Sequence, residues 1–322
     1  MGSQLSKRQN HSKLNNFASN TPSQESNSSK PDSPNFVSLV NSKGEARSYH
    51  NAVSSAYFLP ADIREQLFQV LMLSKHRLSC HKLAFNGNLV VPIEDRLKGN
   101  GGKVLDVGCG PGIWALEMAH DFDNVDVYAI DIVDTYPKDI KPPNVHFSIA
   151  NVLEGLPFPD NYFDLVQVRT FVVALRATEW PTAVKEVYRV VKPGGYVQFV
   201  ELEDLYYRLA GESLKFFDQM IDILKNAGFD PLIAKKIGAL LKMQGFVNIK
   251  TPRVSLPVGP WKGEIGKMMM DDLVKMLAPV LGLSDAEYEK RIRKLFDDMN
   301  SYQCFVNWYG NHAQKPLEAT GV

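Results

Sequence analysis

Val104-Leu105-Asp106-Val107-Gly108-Cys109-Gly110-Pro111-Gly112 decides the fold. Lys103–Val107 reads as a short apolar strand that ends beside a carboxylate. The glycines turn the chain, and Ile113–Phe122 reads as the helix that follows. Gly108 and Gly110 let the backbone turn sharply and let a ligand approach it closely, where a side chain would take the ligand's place. The spacing is Gly-x-Gly-x-Gly, which departs from the Gly-x-Gly-x-x-Gly of dinucleotide sites. Asp106, two residues before the first glycine, would repel a pyrophosphate and favours a ligand that carries an ammonium and a sulfonium.

Outward from this turn the chain alternates strands and helices. Val125–Ile130, Val145–Ile149 and Phe163–Val168 read as strands, Thr178–Val191 as a helix and Gly195–Glu201 as a strand. Glu212–Asn226 and Pro231–Met243 read as helices, and Phe246–Leu256 as a strand pattern. Lys262–Leu277 and Ala286–Asn300 are helical, the second opened by a capping box of Ser284 and Glu287, and Tyr302–Tyr309 is a last strand. Near-continuous apolar strands alternating with helices indicate an α/β fold with a parallel sheet covered on both faces. Upstream, Ile63, Leu67, Val70, Leu71 and Leu78 share a helical face that starts after Pro60 and ends near Gly87. A short helix is expected from Pro92 to Lys98, broken by Gly99-Asn100-Gly101-Gly102.

The residues resemble a family. DVGCGPG at 106–112 is similar to the signature of class I S-adenosylmethionine-dependent methyltransferases, and three further stretches follow in that family's order. Asp131 stands nineteen positions after Gly112, at the end of Tyr128-Ala129-Ile130-Asp131-Ile132. Asn151 through Asp164 is similar to the family's D-x-x-x-x-L-P-F-x-D-x-x-F-D, and Val187 through Gly195 to the turn before its fifth strand. The resemblance covers about residues 100–200. It implies a Rossmann-like seven-stranded sheet and S-adenosyl-L-methionine as cofactor. It also implies cofactor-binding roles for Asp106, Gly108, Cys109, Gly110, Gly112, Asp131, Ile132, Asn151, Val152 and Arg169. Asp131 would accept from the ribose hydroxyls. Asn151 stands where the family usually has Asp to accept from the adenine amino group, and an amide oxygen can accept the same bond. Cys109 and Trp114 are read as packing residues, since nothing nearby in sequence activates the thiol, and Asp164 as structural.

Methyl transfer from a sulfonium is an in-line displacement on an activated carbon, so alignment and desolvation can supply much of the acceleration. A base is needed only where the acceptor must lose a proton. Candidates are Glu201, Glu203 and Arg169 near carboxyl ends of strands, with Tyr49, His50, His76 and His81 in the amino-terminal part, and none is singled out. Gln167-Val168-Arg169-Thr170 is not the Asn-Pro-Pro-Tyr type that binds a flipped base, and no Pro-Cys nucleophile appears. The last strand of the fold runs antiparallel, so the connection from Leu256 to Tyr302 should leave the carboxyl edge of the sheet. Its helices, with Met268, Met269, Met270 and Met276, could then roof a pocket.

The 322 residues carry 36 Lys+Arg and 36 Asp+Glu. Zero net charge argues against a polyanionic substrate, and no apolar run reaches the roughly 18 residues of a spanning helix. Cys80, Cys109 and Cys304 lie far apart, which fits a reducing compartment, with no metal site expected. Cancellation hides an asymmetry: residues 1–48 carry Lys7, Arg8, Lys13, Lys30, Lys43 and Arg47 against Glu25, Asp32 and Glu45. This Ser- and Asn-rich stretch is read as a disordered basic tail, 49–100 as a helical cap, and 101–318 as the methyltransferase domain with a helical insertion at 262–300.

Met1-Gly2-Ser3-Gln4-Leu5-Ser6 matches the pattern for myristoylation at Gly2, with a basic cluster as second signal. The expectation is a cytoplasmic enzyme, with possible peripheral membrane contact through its tail and a small-molecule methyl acceptor. The competing readings are a non-catalytic cofactor-binding regulator at a membrane surface and a protein methyltransferase.

Overall fold

The computed structural model describes residues 36–40, 46–50, 78–281 and 285–317. Gly2, the basic cluster, the apolar face from Ile63 to Leu71, His76 and Ser284 lie outside them. Strands β1 (Phe36–Val40) and β2 (Ala46–His50) pair antiparallel as a hairpin, so part of the stretch read as tail is extended and paired, with Tyr49 and His50 in β2. Helix α1 covers 78–85, and α2 is Glu94–Asn100.

The sheet is built from β3 (Gly102–Val107), β4 (Val125–Asp131), β5 (Val145–Ile149), β6 (Phe163–Arg169), β7 (Val191–Tyr207), β8 (Val247–Lys250), β9 (Arg253–Pro257) and β10 (Phe305–Gln314). Its order is β5-β4-β3-β6-β7-β10-β8, with β9 also paired to β10. β3 to β7 are parallel, and β10 runs antiparallel to its neighbours. The expected α/β sheet is present, with eight strands where seven were expected. Phe246–Leu256 breaks into β8 and β9 at Thr251-Pro252, because proline has no N–H for the ladder.

Helices cover both faces. On one, α4 (Trp180–Val190) and α6 (Ile233–Gln244) bring Trp180, Val184, Val187, Ile237 and Leu241 onto Leu105, Val166 and Phe199. On the other, α3 (Ile113–Asp121) and α2 place Trp114, Met118 and Leu97 on Val104, Val127 and Leu165. A third cluster gathers α5 (Gly211–Asn226), α7 (Gly263–Leu281) and α8 (Asp285–Ser301) over β9 and β10. There Met269 and Met270 are buried with Leu256, Val306 and Trp308, so these two methionines cover the sheet and do not roof a pocket.

Two of the sequence stretches act as fasteners. Arg189 of α4 donates to the carbonyls of Leu156 (2.9 Å) and Phe158 (2.8 Å), and Glu186 accepts from Leu156 N–H (2.6 Å), so the Leu-Pro-Phe turn is held to α4. Asp164, 3% exposed, accepts from Lys103 N–H (3.0 Å) and Lys192 Nζ (2.7 Å) and pairs with Arg96. Burial alone would push its carboxyl up, but these hydrogen bonds and charges outweigh it and hold it below its ordinary value. A depressed folded-state pKa contributes stability above the unfolded value and loses it as pH falls through the folded one. Asp164→Ala is therefore expected to cost about 2 kcal/mol at neutral pH, since it removes both ion pairs and leaves the Lys103 N–H without its acceptor. In denaturant titrations the difference from the parent should shrink below about pH 4, near the ordinary carboxylate pKa.

Candidate functional site

The site lies at the carboxyl ends of β3, β4, β6 and β7, where ligands sit in open α/β sheets. The turn after β3 is shaped by β4: the Ile130 carbonyl accepts from Gly108 N–H (2.8 Å) and Cys109 N–H (2.9 Å). Asp131 Oδ2 accepts from Gly110 N–H (2.7 Å), and its Oδ1 from Val133 N–H (3.2 Å). Asp131 thus folds the glycine turn as well as standing beside it. Burial pushes its carboxyl up, and the N–H groups of Gly110, Val133 and Ile132 oppose that push.

The three glycines face different surroundings. A Cβ on Gly108 would lie 2.1 Å from Phe171 Cε2, and one on Gly112 would lie 2.5 Å from Phe147 Cε1. A Cβ on Gly110 would meet nothing within 4 Å. Gly108 and Gly110 have φ of +70° and +53°, which only glycine adopts without strain. Phe147 stacks on Tyr136 with centroids 4.6 Å apart, so the face of Gly112 is closed by an aromatic pair, and Gly110 carries the open face of the turn.

Asp106 is 1% exposed, and its Oδ2 has no hydrogen-bond partner among the described residues. Burial pushes its carboxyl up to about 7, opposed by the charge of Arg169 and the amide of Gln167. Cys109 is buried and its thiol is pushed far up by burial and by Asp106 and Asp131, so it packs and does not react. Trp114 is 1% exposed and donates to the Asn88 carbonyl (3.2 Å). Asn151 forms a turn, accepting from Leu153 N–H at Oδ1 (3.0 Å) and donating to Glu154 (3.0 Å), and Val152 packs in the core beside Ile130.

The acids named as bases have other work. Glu201, fully buried, accepts from Phe171 N–H (2.8 Å) and Val172 N–H (3.1 Å), and burial pushes its carboxyl up to about 8. It clamps the loop that carries Phe171 across Gly108. Glu203, also fully buried, takes Tyr207 (2.8 Å), Asn307 (3.1 Å) and Lys235. Neither carboxylate is free to accept a proton from a ligand. The structure brings His81 to the site instead, stacked edge-on against Trp308 at 4.1 Å.

A recess opens beside these groups, lined by Leu78, His81 and Phe85 of α1 and by Asn88, Trp114, Gln167, Arg169 and Val200. Sequence reasoning named His81, Trp114 and Arg169 but missed Asn88, Gln167 and Gln198, since one amide in a turn or an apolar strand carries no local signal. Gln167 and Gln198 stand on neighbouring strands, β6 and β7, in direct register. Two glutamines in strands that otherwise read as apolar are the only trace of the contact.

The strand, glycine turn and isolated buried acid have a counterpart among known proteins: residues 104–195 match a family model described as a methyltransferase domain. These residues make up a methyltransferase domain of the class I S-adenosylmethionine-dependent kind. Relatives of this methyltransferase include the secondary metabolism regulator LAE1 of Cochliobolus heterostrophus, 26% identical over 68% of this chain and 71% of that protein. Methyltransferase str3 of Strobilurus tenacellus is 30% identical over 49% of this chain and 58% of its own. The protein-methionine methyltransferase laeA of Emericella nidulans is 27% identical over 67% of this chain and 56% of its own. The methyltransferase therefore spans little more than half the length of the last two. Its cofactor is S-adenosylmethionine, and the residues present fit it. The buried Oδ2 of the Asp106 carboxylate suits a cation, and Gly110 leaves the turn open to close approach.

Proposed function

We propose that the chain transfers the methyl group of S-adenosylmethionine to a small molecule at the carboxyl ends of β3, β4, β6 and β7. The observation that carries this reading is the buried carboxylate of Asp106 beside the open face of Gly110, which suits a cationic methyl donor. Bound S-adenosylmethionine supplies an electrophilic methyl group. Asp106 offers the buried negative charge that a cation needs, Asp131 and the Gly108–Gly112 turn hold the backbone that faces it, and Val152 packs beside them. Glu201 keeps Phe171 over the turn and so shields it from water. Leu78, Phe85, Trp114 and Val200 give the neighbouring recess an apolar wall. Alignment and desolvation are then the main contributions of the protein.

One observation favours a second reading. A relative is named a protein-methionine methyltransferase. Incubating the protein with methyl-labelled cofactor and extract of its own host separates the two. We expect label in an extractable small molecule. Label in protein would establish the second reading, and no turnover with either fraction would leave a cofactor-binding regulator.

A further inference from the structure

Three buried polar side chains stand in one row across the apolar sheet. Asp106 of β3 faces Gln167 of β6 in register, and Gln167 faces Gln198 of β7. The direction of each amide is set from the far end of the row. Val90 N–H, in the turn after α1, donates to Gln198 Oε1 (3.0 Å), so Gln198 turns its NH2 the other way. Both of those hydrogens are used, one on the Asn88 carbonyl (3.0 Å) and one on Gln167 Oε1. With its oxygen taken, Gln167 turns its own NH2 to the Asp106 carboxylate, and the hydrogen bond there opposes the upward push of burial. Oδ2 of that carboxylate keeps no partner. Reversing Gln198 would set NH2 against the Val90 N–H, and reversing Gln167 would set oxygen against the carboxylate.

The turn after α1 is anchored independently of the row. Asn88 Nδ2 donates to Glu117 Oε2 (3.0 Å), which also takes Lys82 (2.8 Å), and Trp114 Nε1 donates to the Asn88 carbonyl (3.2 Å). Apolar side chains would fill β6 and β7 without asking for partners, so two buried amides in these strands call for a cause.

We propose that Gln198 is a positioning residue for the cofactor: it turns Gln167 so that an N–H, and not an oxygen, meets the Asp106 carboxylate, and it ties that orientation to the turn that closes α1. Gln198 acts on the acid only through Gln167. A head-to-tail chain of hydrogen bonds polarises each link, so the donor that reaches Asp106 favours the charged carboxylate more than a lone amide does. Asn88 and Val90 thereby contribute to cofactor affinity from the far end of the chain.

The inference rests on S-adenosylmethionine as cofactor and not on the identity of the acceptor, and its test reads binding alone. S-adenosylmethionine is titrated calorimetrically into the full chain from pH 6 to pH 9. Gln198→Met, which keeps the length of the side chain and removes its donors and acceptor, is expected to weaken binding about threefold at pH 7. At pH 9, where Asp106 is charged in both proteins, the loss should vanish. Gln167→Met should cost at least as much, and the double variant no more than Gln167→Met alone, because the outer residue acts only through the inner one. Arg169 and Asp131 act on the same carboxylate, and Glu201 feels the charge of Arg169. His312, opposite Gln198 on β10 and beside Lys250, is held below its ordinary value by burial. The variants leave all of these groups in place. Affinity lost equally at every pH, or losses that add in the double variant, would reduce Gln198 to a packing residue and overturn the proposal. Should Gln198→Met fail to fold, NMR of the parent protein decides. The side-chain amide protons of Gln198 should shift with the same midpoint as the Asp106 carboxyl carbon, and a Gln198 signal flat through that midpoint would overturn the chain. Methyl transfer absent with this pH pattern intact would sink only the reaction proposed above.

Discussion

S-adenosylmethionine is expected to bind about tenfold more tightly at pH 8 than at pH 6, as follows from one linked proton on a group that titrates midway between. The group is Asp106, pushed up to about 7 by burial despite Arg169 and Gln167. In the ligand-free protein this carboxyl is mostly protonated at pH 6, and a cation must displace the proton; at pH 8 the charge is already present. Asp106→Asn should remove at least tenfold of the affinity at pH 8 and most of the pH dependence. S-adenosylhomocysteine, which lacks the sulfonium, should show a smaller gain.

Stability runs in the opposite direction. Asp106 and Glu201 both have folded-state values raised above the unfolded ones, to about 7 and about 8. Their contribution is complete at pH values below the unfolded carboxylate range and is lost as pH rises through the folded values. The free protein should melt at a lower temperature at pH 8 than at pH 6, while the stabilisation by cofactor grows. Calorimetric titration and thermal melts at the two pH values check both signs. An affinity that is flat with pH would mean that Asp106 does not meet the cation.

Gly108→Ala is expected to abolish cofactor binding, with a loss of at least a hundredfold for S-adenosylhomocysteine, equivalent to about 2.7 kcal/mol. A Cβ there would stand 2.1 Å from Phe171 Cε2 and 2.3 Å from Cζ. The φ of +70° adds strain of about 1–2 kcal/mol for an L-residue. Phe171 cannot retreat as a whole, because Glu201 holds its N–H and that of Val172, so its ring must swing over the face of the turn. Gly110→Ala is the control for strain: it meets nothing within 4 Å, and its φ of +53° alone should cost about 1 kcal/mol of stability. Its fold should persist while its binding weakens by less than that of Gly108→Ala. Unaltered binding by Gly108→Ala in calorimetry would show that the cofactor does not approach this turn.

The strand, turn and helix around Asp106 were legible because their signals are local: apolar runs set the strands, glycine sets the turn, and Asp131 follows at the end of the next strand. The same locality misled the reading of the methionines. Met269 and Met270 look like an adaptable surface in sequence, but β9, β10 and α8 come from distant segments to bury them. The division of Phe246–Leu256 is marked in sequence by Pro252 alone, since the flanking residues keep an extended pattern. Glu201 and Glu203 read as acids at strand ends, and nothing in their neighbours in sequence shows that Phe171, Val172 and Lys235 would occupy them.

By itself the sequence determined the α/β class, the succession of strands and helices along the chain, the glycine turn with its two carboxylates and the cofactor family, all of which depend on local patterns. Only the tertiary structure decided which acids are occupied, which glycine faces open space, and that Asn88, Gln167 and Gln198 converge from segments about 80 and 30 residues apart. The reason is physical: a hydrogen bond or a packed ring depends on distance and direction in space, and in a parallel sheet the groups that meet at the carboxyl edge are separated in sequence by whole crossover connections.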